Sequence, residues 1–267
     1  MENLNQLPLT TALQQLFDQK LDWDVTFHIG GEDIQAHTFM LKFRSPGLKA
    51  MINNELSYEN GKIIITDPNL TAADFQTFLE FLYTDACKVT DGNVKTLLRL
   101  GDMYDVPTLL EYCTNFLEKK FCDAKIISIA ELGVLYSERC SLLTKCLHYL
   151  SHKCYLNRYS TSFYWKEASP ELVQKVTQGC KRSGQFTEEV LFKAIIEWSK
   201  QECTRNKCDI NAENIQIILS QIIPHIKFQD LKPLTLATTA SEFKLLPEDN
   251  MLDVLRKSVI VNEGGKL

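Results

Sequence analysis

The sequence predicts an α+β domain over residues 9–121, a small mixed sheet covered by helices, followed by an all-α helical domain over residues 122–260. Three observations carry this expectation. Val25, Phe27 and Ile29 alternate with Thr26 and His28, the two-residue period of a half-buried strand. Short strands of this kind are interleaved with amphipathic helical periods as far as Phe121, and a strand layer with an apolar side needs helical cover. From residue 122 onward the strand signals vanish and only helical periods remain, as in antiparallel helical bundles.

Taken in order, residues 1–8 read as a flexible N-terminus. Thr11 and Gln14 fit a capping box, and Leu9, Leu13, Leu16 and Phe17 fall at i, i+4, i+7 and i+8, giving a helix with one apolar face. That face packs on its own domain or on a second copy. After the first strand, Gly30-Gly31 supplies a two-residue hairpin turn, and Ile34 and Ala36 continue in a second strand. Beyond His37 the period turns helical, with Phe39, Met40 and Phe43 as a short apolar segment. Ser45-Pro46 ends it and opens the next helix, which carries Leu48, Met51 and Ile52. Residues 53–61 read as a polar loop and 62–66 as a short strand. Thr71 opens a helix bearing Phe75, Phe78, Leu79 and Leu82. Asp91 caps the next, with Val94, Leu97 and Leu98 inward, and Pro107 starts a third with Leu109, Cys113, Phe116 and Leu117.

In the second half, Ile126, Ile129, Ala130, Gly133 and Val134 suit one helix, and Leu143, Cys146, Leu147, Leu150 and Cys154 a longer one. Ser169-Pro170 starts another. Thr187 caps a helix with Glu188 and Glu189 in its first turn, favourable against the helix dipole, and with Leu191, Ala194, Ile195 and Trp198 inward. Ile215, Ile218, Leu219 and Ile222 mark a helix ended by Pro224, and a last helix spans residues 248–258. Residues 261–267 read as a C-terminal tail.

The net charge of -5 argues against a nucleic-acid partner held by a basic surface. No basic-then-apolar leader opens the chain, and no run of about 18 apolar residues suggests a membrane span. Nine cysteines, an odd number in no dense framework, read as reduced thiols. The expected location is cytoplasmic, with the nucleus as a second compartment.

The string D-V-T-F-H-I-G-G at 24–31, then A-H-T-F-M-L at 36–41 and S-P-G-L-K-A-M at 45–51, resembles the BTB/POZ family. So do I-I-I-T-D at 63–67, F-L-E-F-L-Y-T-D at 78–85 and L-R-L-G-D-M-Y-D-V-P at 98–107. E-E-V-L-F-K-A-I-I-E-W at 188–198 and I-I-P-H-I-K-F at 222–228 resemble the BACK domain that commonly follows BTB. The resemblance implies a homodimer, or a pairing with other BTB proteins, in which Leu9, Leu13, Leu16, Phe17 and Asp24 lie at the dimer interface. It also implies an adaptor for a ubiquitin ligase built on cullin-3, whose contacts would be Leu56, Tyr58, Glu59 and Tyr83 together with the first BACK helices.

Two positions depart from the family pattern. Leu56 keeps the apolar residue of a hydrophobic-x-Glu motif, but Tyr58 stands where the Glu does and Glu59 follows one place later. Thr38 stands where relatives often carry a cation facing Asp24. No kelch, MATH, PHR or zinc-finger module is recognised within these residues.

Candidate chemical sites each have a plainer reading. His37 reads as a structural residue hydrogen-bonded at the strand–helix junction. His148 and His152 stand at i, i+4, a spacing that can bind metal. Cys146, Leu147, Leu150 and Cys154 already explain that helix as core packing. Cys203 and Cys208 flank a polar Thr-Arg-Asn-Lys segment and read as exposed, redox-sensitive thiols. Gly30-Gly31 is not a phosphate loop, and no hydrolase signature is present. No metal or cofactor is expected.

The leading expectation is therefore a non-catalytic, dimeric adaptor, a substrate-recruiting or scaffold subunit of a cullin-3 RING ubiquitin ligase with an unknown substrate protein. The alternative is a cullin-independent scaffold or regulator that heterodimerises with other BTB proteins.

Overall fold

The computed structural model describes residues 7–152, 165, 167–184 and 186–262. The chain divides into two compact units, one of Met1–Lys119 with Glu138–Ser141, the other of Lys120–Ser137 with Leu142–Leu267.

The first unit holds a four-stranded mixed sheet in the order β2-β1-β4-β3. β1 (Val25–Ile29) and β2 (Glu32–Ala36) form an antiparallel hairpin. Gly30 and Gly31 turn it with φ of 58° and 89°, the doubly left-handed backbone of a type I′ turn. β4 (Lys62–Ile65) runs parallel to β1, with Phe27 opposite Ile63. Residues 53–61 are more ordered than the polar loop expected there. They contain a 3-10 turn, Glu55–Ser57, and a short edge strand, β3 (Tyr58–Glu59), antiparallel to β4.

Among its described residues, six α-helices complete the unit. They are α1 (Leu9–Gln19), α2 (Thr38–Arg44), α3 (Pro46–Asn53), α4 (Ala72–Thr84), α5 (Val94–Met103) and α6 (Pro107–Glu118). Phe27 from the sheet meets Phe75 of α4 at 5.1 Å between ring centres, and Phe75 and Phe78 both contact the ring of Tyr104. The S-P-G and Y-D-V-P signatures prove to be one structural feature. Ser45 Oγ accepts from Leu48 N, capping α3, and donates to the Tyr104 carbonyl at 2.5 Å. Gly47 N also donates to that carbonyl, at 3.2 Å. A Cβ on Gly47 would sit 2.6 Å from Tyr104 Cα, so only glycine lets α3 begin so close to that backbone.

Two caps differ from the expectation. The Thr11–Gln14 box does not form, because α1 already begins at Leu9 behind Pro8, and Gln14 instead donates to Asp18 Oδ1 at 3.1 Å. Nor does Asp91 cap α5. Thr90 and Asn93 exchange hydrogen bonds just before it, Thr90 N to Asn93 Oδ1 at 2.7 Å and Asn93 N to Thr90 Oγ1 at 3.2 Å. The N-cap is Asn93, two residues beyond Asp91.

Among its described residues the second unit is helical. It contains α7 (Ile126–Leu135), α8 (Leu142–His152), α9 (Pro170–Gly179), α10 (Glu188–Arg205), α11 (Ala212–Leu219) and α12 (Glu248–Asn262). Gly133 brings α7 against α8, since a Cβ there would meet Leu143 N at 2.8 Å. Ser169 and Thr187 cap α9 and α10 by accepting from Leu172 N and Val190 N. Glu131 accepts from Ser169 N at 2.6 Å and from its hydroxyl at 2.9 Å. α11 ends at Leu219, before Pro224, which lies in a separate 3-10 turn, Ile223–His225. α12 extends past residue 258 to Asn262. Cys154 lies outside the described residues.

Glu188 and Glu189 are buried, not solvated first-turn acids. Cys203 is buried on α10 instead of exposed in a loop, and Cys208 is half-exposed.

Candidate protein-interaction surface

In the first unit the expected contact residues separate into two groups. The first belongs to the fold itself. Phe17 is buried, with its ring 5.1 Å from that of Tyr83. α1 thus turns Phe17 into its own domain, not outward on the face that carries Leu9. Tyr83 is only 2% exposed. It cannot be the surface contact that its motif position implied, because α4 directs it at the junction between β2 and α2. There its hydroxyl accepts from His37 N at 2.9 Å and lies 2.7 Å from His37 Nδ1. His37 Nε2 in turn lies 2.5 Å from the Leu21 carbonyl. A carbonyl only accepts, so Nε2 carries hydrogen and the Tyr83 hydroxyl can donate to Nδ1. Burial pushes the Tyr83 phenol up to about 12, against the lowering effect of the His37 N–H. His37 is thereby the structural junction residue expected.

Asp24 closes the same junction. Its carboxylate accepts from Thr38 N and Thr38 Oγ1, both at 2.6 Å, capping the start of α2. Threonine thus replaces a cationic partner with two neutral donors. Desolvation works to raise the Asp24 pKa, but the two hydrogen bonds from Thr38 lead the effects that outweigh it, and the net shift is downward. A carboxylate with a depressed pKa stabilises the fold above its ordinary unfolded value and loses that contribution as pH falls through its folded one. Asp24→Asn is expected to flatten the acid limb of the first unit's stability curve. Chemical denaturation between pH 6 and pH 3 (roughly the span around ordinary carboxylate values) checks this, and an acid limb identical to the parent's would contradict it.

The second group is exposed. Leu9 is 74% exposed at the start of α1, while Leu13 and Leu16 are half-buried. Leu56 is 93% exposed on the 3-10 turn. Asn54 holds that turn by accepting from Leu56 N at 3.1 Å. Tyr58 lies partly exposed beside it and donates its hydroxyl to the Ile52 carbonyl at 3.2 Å. Glu59 is exposed on the edge strand.

Sequence reasoning missed a further part of this surface. Phe39 and Phe43 are 75% and 79% exposed, with rings stacked at 6.3 Å. On α2 only Leu41 is buried. Residues at i and i+4 share a face, and that face is roughly opposite position 41. The i, i+4 phenylalanine pair flanking a lone leucine was the available signal. Leu21 and Trp23 are also exposed, and the Asp24–Thr38 bonds tether their segment to the start of α2. Arg44, at the end of α2, pairs with Asp85.

Large apolar side chains standing out of a well-packed unit are the usual mark of a protein contact surface. Residues 13–121 match the BTB/POZ domain family. They are a BTB/POZ domain. Similar proteins align beyond it, into the helical unit. Human "Kelch repeat and BTB domain-containing protein 3" is 25% identical over 261 residues, 96% of this chain and 40% of the relative. "Kelch-like protein 40" of Xenopus tropicalis is 23% identical over 263 residues, 97% of this chain and 38% of the relative. Human "Kelch-like protein 41" is 21% identical over 221 residues, 83% of this chain and 34% of the relative. The chain thus spans at most about two fifths of the length of these relatives.

In the helical unit, His148 and His152 stack at 4.4 Å, and His152 Nδ1 lies 3.0 Å from the His148 carbonyl. Among the described residues, no group of three or more His, Cys, Asp and Glu side chains is placed to hold a metal ion. No described helix is long and apolar enough to cross a membrane.

Proposed function

We propose that this chain is a dimeric adaptor whose BTB/POZ domain binds cullin-3 and so recruits a protein substrate to a RING ubiquitin ligase. The observation that carries this reading is Leu56, an aliphatic side chain held almost fully in solvent on a capped turn. Interface energy concentrates in a few apolar and aromatic anchors of this kind. Tyr58 and Glu59 flank it, and Tyr83, being buried, supports the fold and not the contact. Tyr58 already donates its hydroxyl to Ile52, so a donor on the cullin meets a phenol oxygen in place of a carboxylate. An imperfectly paired polar group in an interface costs about 1–3 kcal/mol, roughly ten- to a hundred-fold in affinity.

Calorimetry against the N-terminal region of cullin-3 tests this reading. Leu56→Asp is expected to abolish binding and Tyr58→Glu to tighten it by about ten-fold. Heat from neither the parent nor Tyr58→Glu would sink the cullin reading and leave a cullin-independent dimerising scaffold in its place.

Dimerisation rests on the face of α1 carrying exposed Leu9 and half-buried Leu13 and Leu16. A self-complementary patch of this kind suits a two-fold interface. Light scattering at tens of micromolar (roughly, where an obligate pair persists) should give twice the chain mass. Leu13→Asp with Leu16→Asp should give monomer or aggregate. A parent chain that is monomeric under those conditions would contradict the dimer.

A further inference from the structure

The C-terminal end of α10 folds one cysteine back onto another. Asn206 closes the helix, Lys207 adopts the left-handed backbone with φ of 56°, and the chain then folds back. Lys207 N donates to the Thr204 carbonyl at 3.2 Å, and Cys208 N donates to the Cys203 carbonyl at 2.9 Å. This pair of bonds defines a Schellman cap, in which the side chain just past the turn meets the one three residues inside the helix end. That meeting is usually a contact between two apolar groups. Here the two residues are Cys208 and Cys203, joined by the bond from Cys208 N to the Cys203 carbonyl. Both are free, Cys203 buried and Cys208 half-exposed. The backbone bond holds the two residues at the short separation a disulfide needs.

We propose that Cys203 and Cys208 form a reversible disulfide, a peroxide-sensitive latch on the end of α10. Cys208, reachable from solvent, attacks one oxygen of hydrogen peroxide. The O–O bond breaks, Cys208 becomes a sulfenic acid and one water leaves. The Cys203 sulfur then attacks the Cys208 sulfur. The S–S bond forms, the S–O bond breaks, and the hydroxyl departs with the Cys203 proton as a second water. Two thiols are oxidised and one peroxide is reduced. Burial and the neighbouring Cys208 thiol push the Cys203 thiol up to about 11, so Cys203 suits the resolving role and not the attacking one. An external dithiol reverses the bond by exchange. Metal capture by the same pair would need two more ligands, and no such group stands among the described residues.

The test uses the full chain, purified reduced and treated with graded hydrogen peroxide. After alkylation and denaturation it is digested with trypsin, which cuts after Arg205 and Lys207. The expected product is a cross-linked pair, one peptide ending at Arg205 and the other beginning at Cys208, about 2 Da lighter than the two thiol peptides together. Dithiothreitol should separate them. Cys208→Ser should abolish the pair while leaving the circular dichroism of the reduced protein unchanged, and Cys203→Ser should leave Cys208 to be over-oxidised. Three results would each overturn the proposal. One is direct conversion of Cys208 to sulfinic acid in the parent chain. Another is a first disulfide among Cys87, Cys113 and Cys140. The third is cross-linking only after the protein has unfolded.

Discussion

Trp198→Ala is expected to destabilise the helical unit by about 3–5 kcal/mol, the range for deleting a fully buried large aromatic. Trp198 has no exposed surface, and Leu191, Ala194 and Ile195 on the same helix are equally buried. Its indole is also a connector. Trp198 Nε1 donates to the Ala168 carbonyl at 2.8 Å, and Trp165 Nε1 donates back across to the Ala194 carbonyl at 3.0 Å. Two indoles thus stitch the turn before α9 to the middle of α10, each satisfying a buried carbonyl. Alanine at 198 leaves a cavity and an unpaired Ala168 oxygen, and the orphaned acceptor alone costs about 1–3 kcal/mol. Trp198→Phe keeps most of the packing and loses only the donor, so it should cost less. The chain has three tryptophans. In Trp198→Ala, Trp165 reports the helical unit while Trp23 sits exposed in the other. Quenching-resolved fluorescence during urea unfolding therefore isolates the right transition, which matters because a two-unit chain need not unfold in one step. An unmoved midpoint would show that the indole pair contributes nothing.

Glu188→Ala is the other large loss expected, about 1–3 kcal/mol, because it strands a half-buried cation and a backbone N–H without their acceptor. Arg182 Nε lies 2.5 Å from Glu188 Oε2, and an Arg182 terminal nitrogen lies 3.3 Å from Oε1. The same guanidinium donates to the Cys180 carbonyl at 2.6 Å and the Thr177 carbonyl at 3.1 Å, at the end of α9. Glu188 Oε1 also accepts from Lys227 N at 3.0 Å. One carboxylate therefore joins the end of α9, the start of α10 and the segment entering the Phe228–Asp230 turn. Its neighbour Glu189 accepts from Thr235 Oγ1 at 2.6 Å, Lys232 N at 3.1 Å and Lys193 Nζ at 2.9 Å. Replacing Glu188 leaves Arg182 without its counter-charge and Lys227 N–H without an acceptor. Glu188→Gln keeps an acceptor for Lys227 and should fall between parent and alanine variant. Thermal unfolding of the three proteins at pH 7 orders them. Equal melting of Glu188→Ala and parent would mean that solvent reaches Arg182 and replaces the pair.

Some of this architecture is written in local pattern. The alternation of Val25, Phe27 and Ile29, the Gly30-Gly31 turn and the caps at Ser45, Thr71, Ser169 and Thr187 act over a few residues. Their physics is complete within the window in which they are read. For the same reason the mixed sheet with helical cover, and the helical run after it, followed from the sequence by itself, as did the BTB/POZ resemblance.

Tertiary structure decided what each side chain faces. The parallel pairing of β1 with β4 depends on segments brought together across 36 residues, Phe27 to Ile63. Tyr83 looked like a surface residue by motif position, but α4 turns it onto His37, 46 residues away. Phe39 and Phe43 read only as a short apolar segment, and a seven-residue helix with apolar groups on both faces can bury either; the fold buries Leu41. Glu188 and Glu189 satisfied the helix-dipole rule and were still buried, because Lys227, Lys232 and Thr235 converge on them from about forty residues away and Arg182 from the preceding turn. Cys203 and Cys208 are five apart in sequence, but only the left-handed backbone at Lys207 folds Cys208 N back onto the Cys203 carbonyl. Periodicity states that an element has an apolar face; long-range packing alone chooses what that face touches, since the free energy of burial belongs to the pair of surfaces and not to either one.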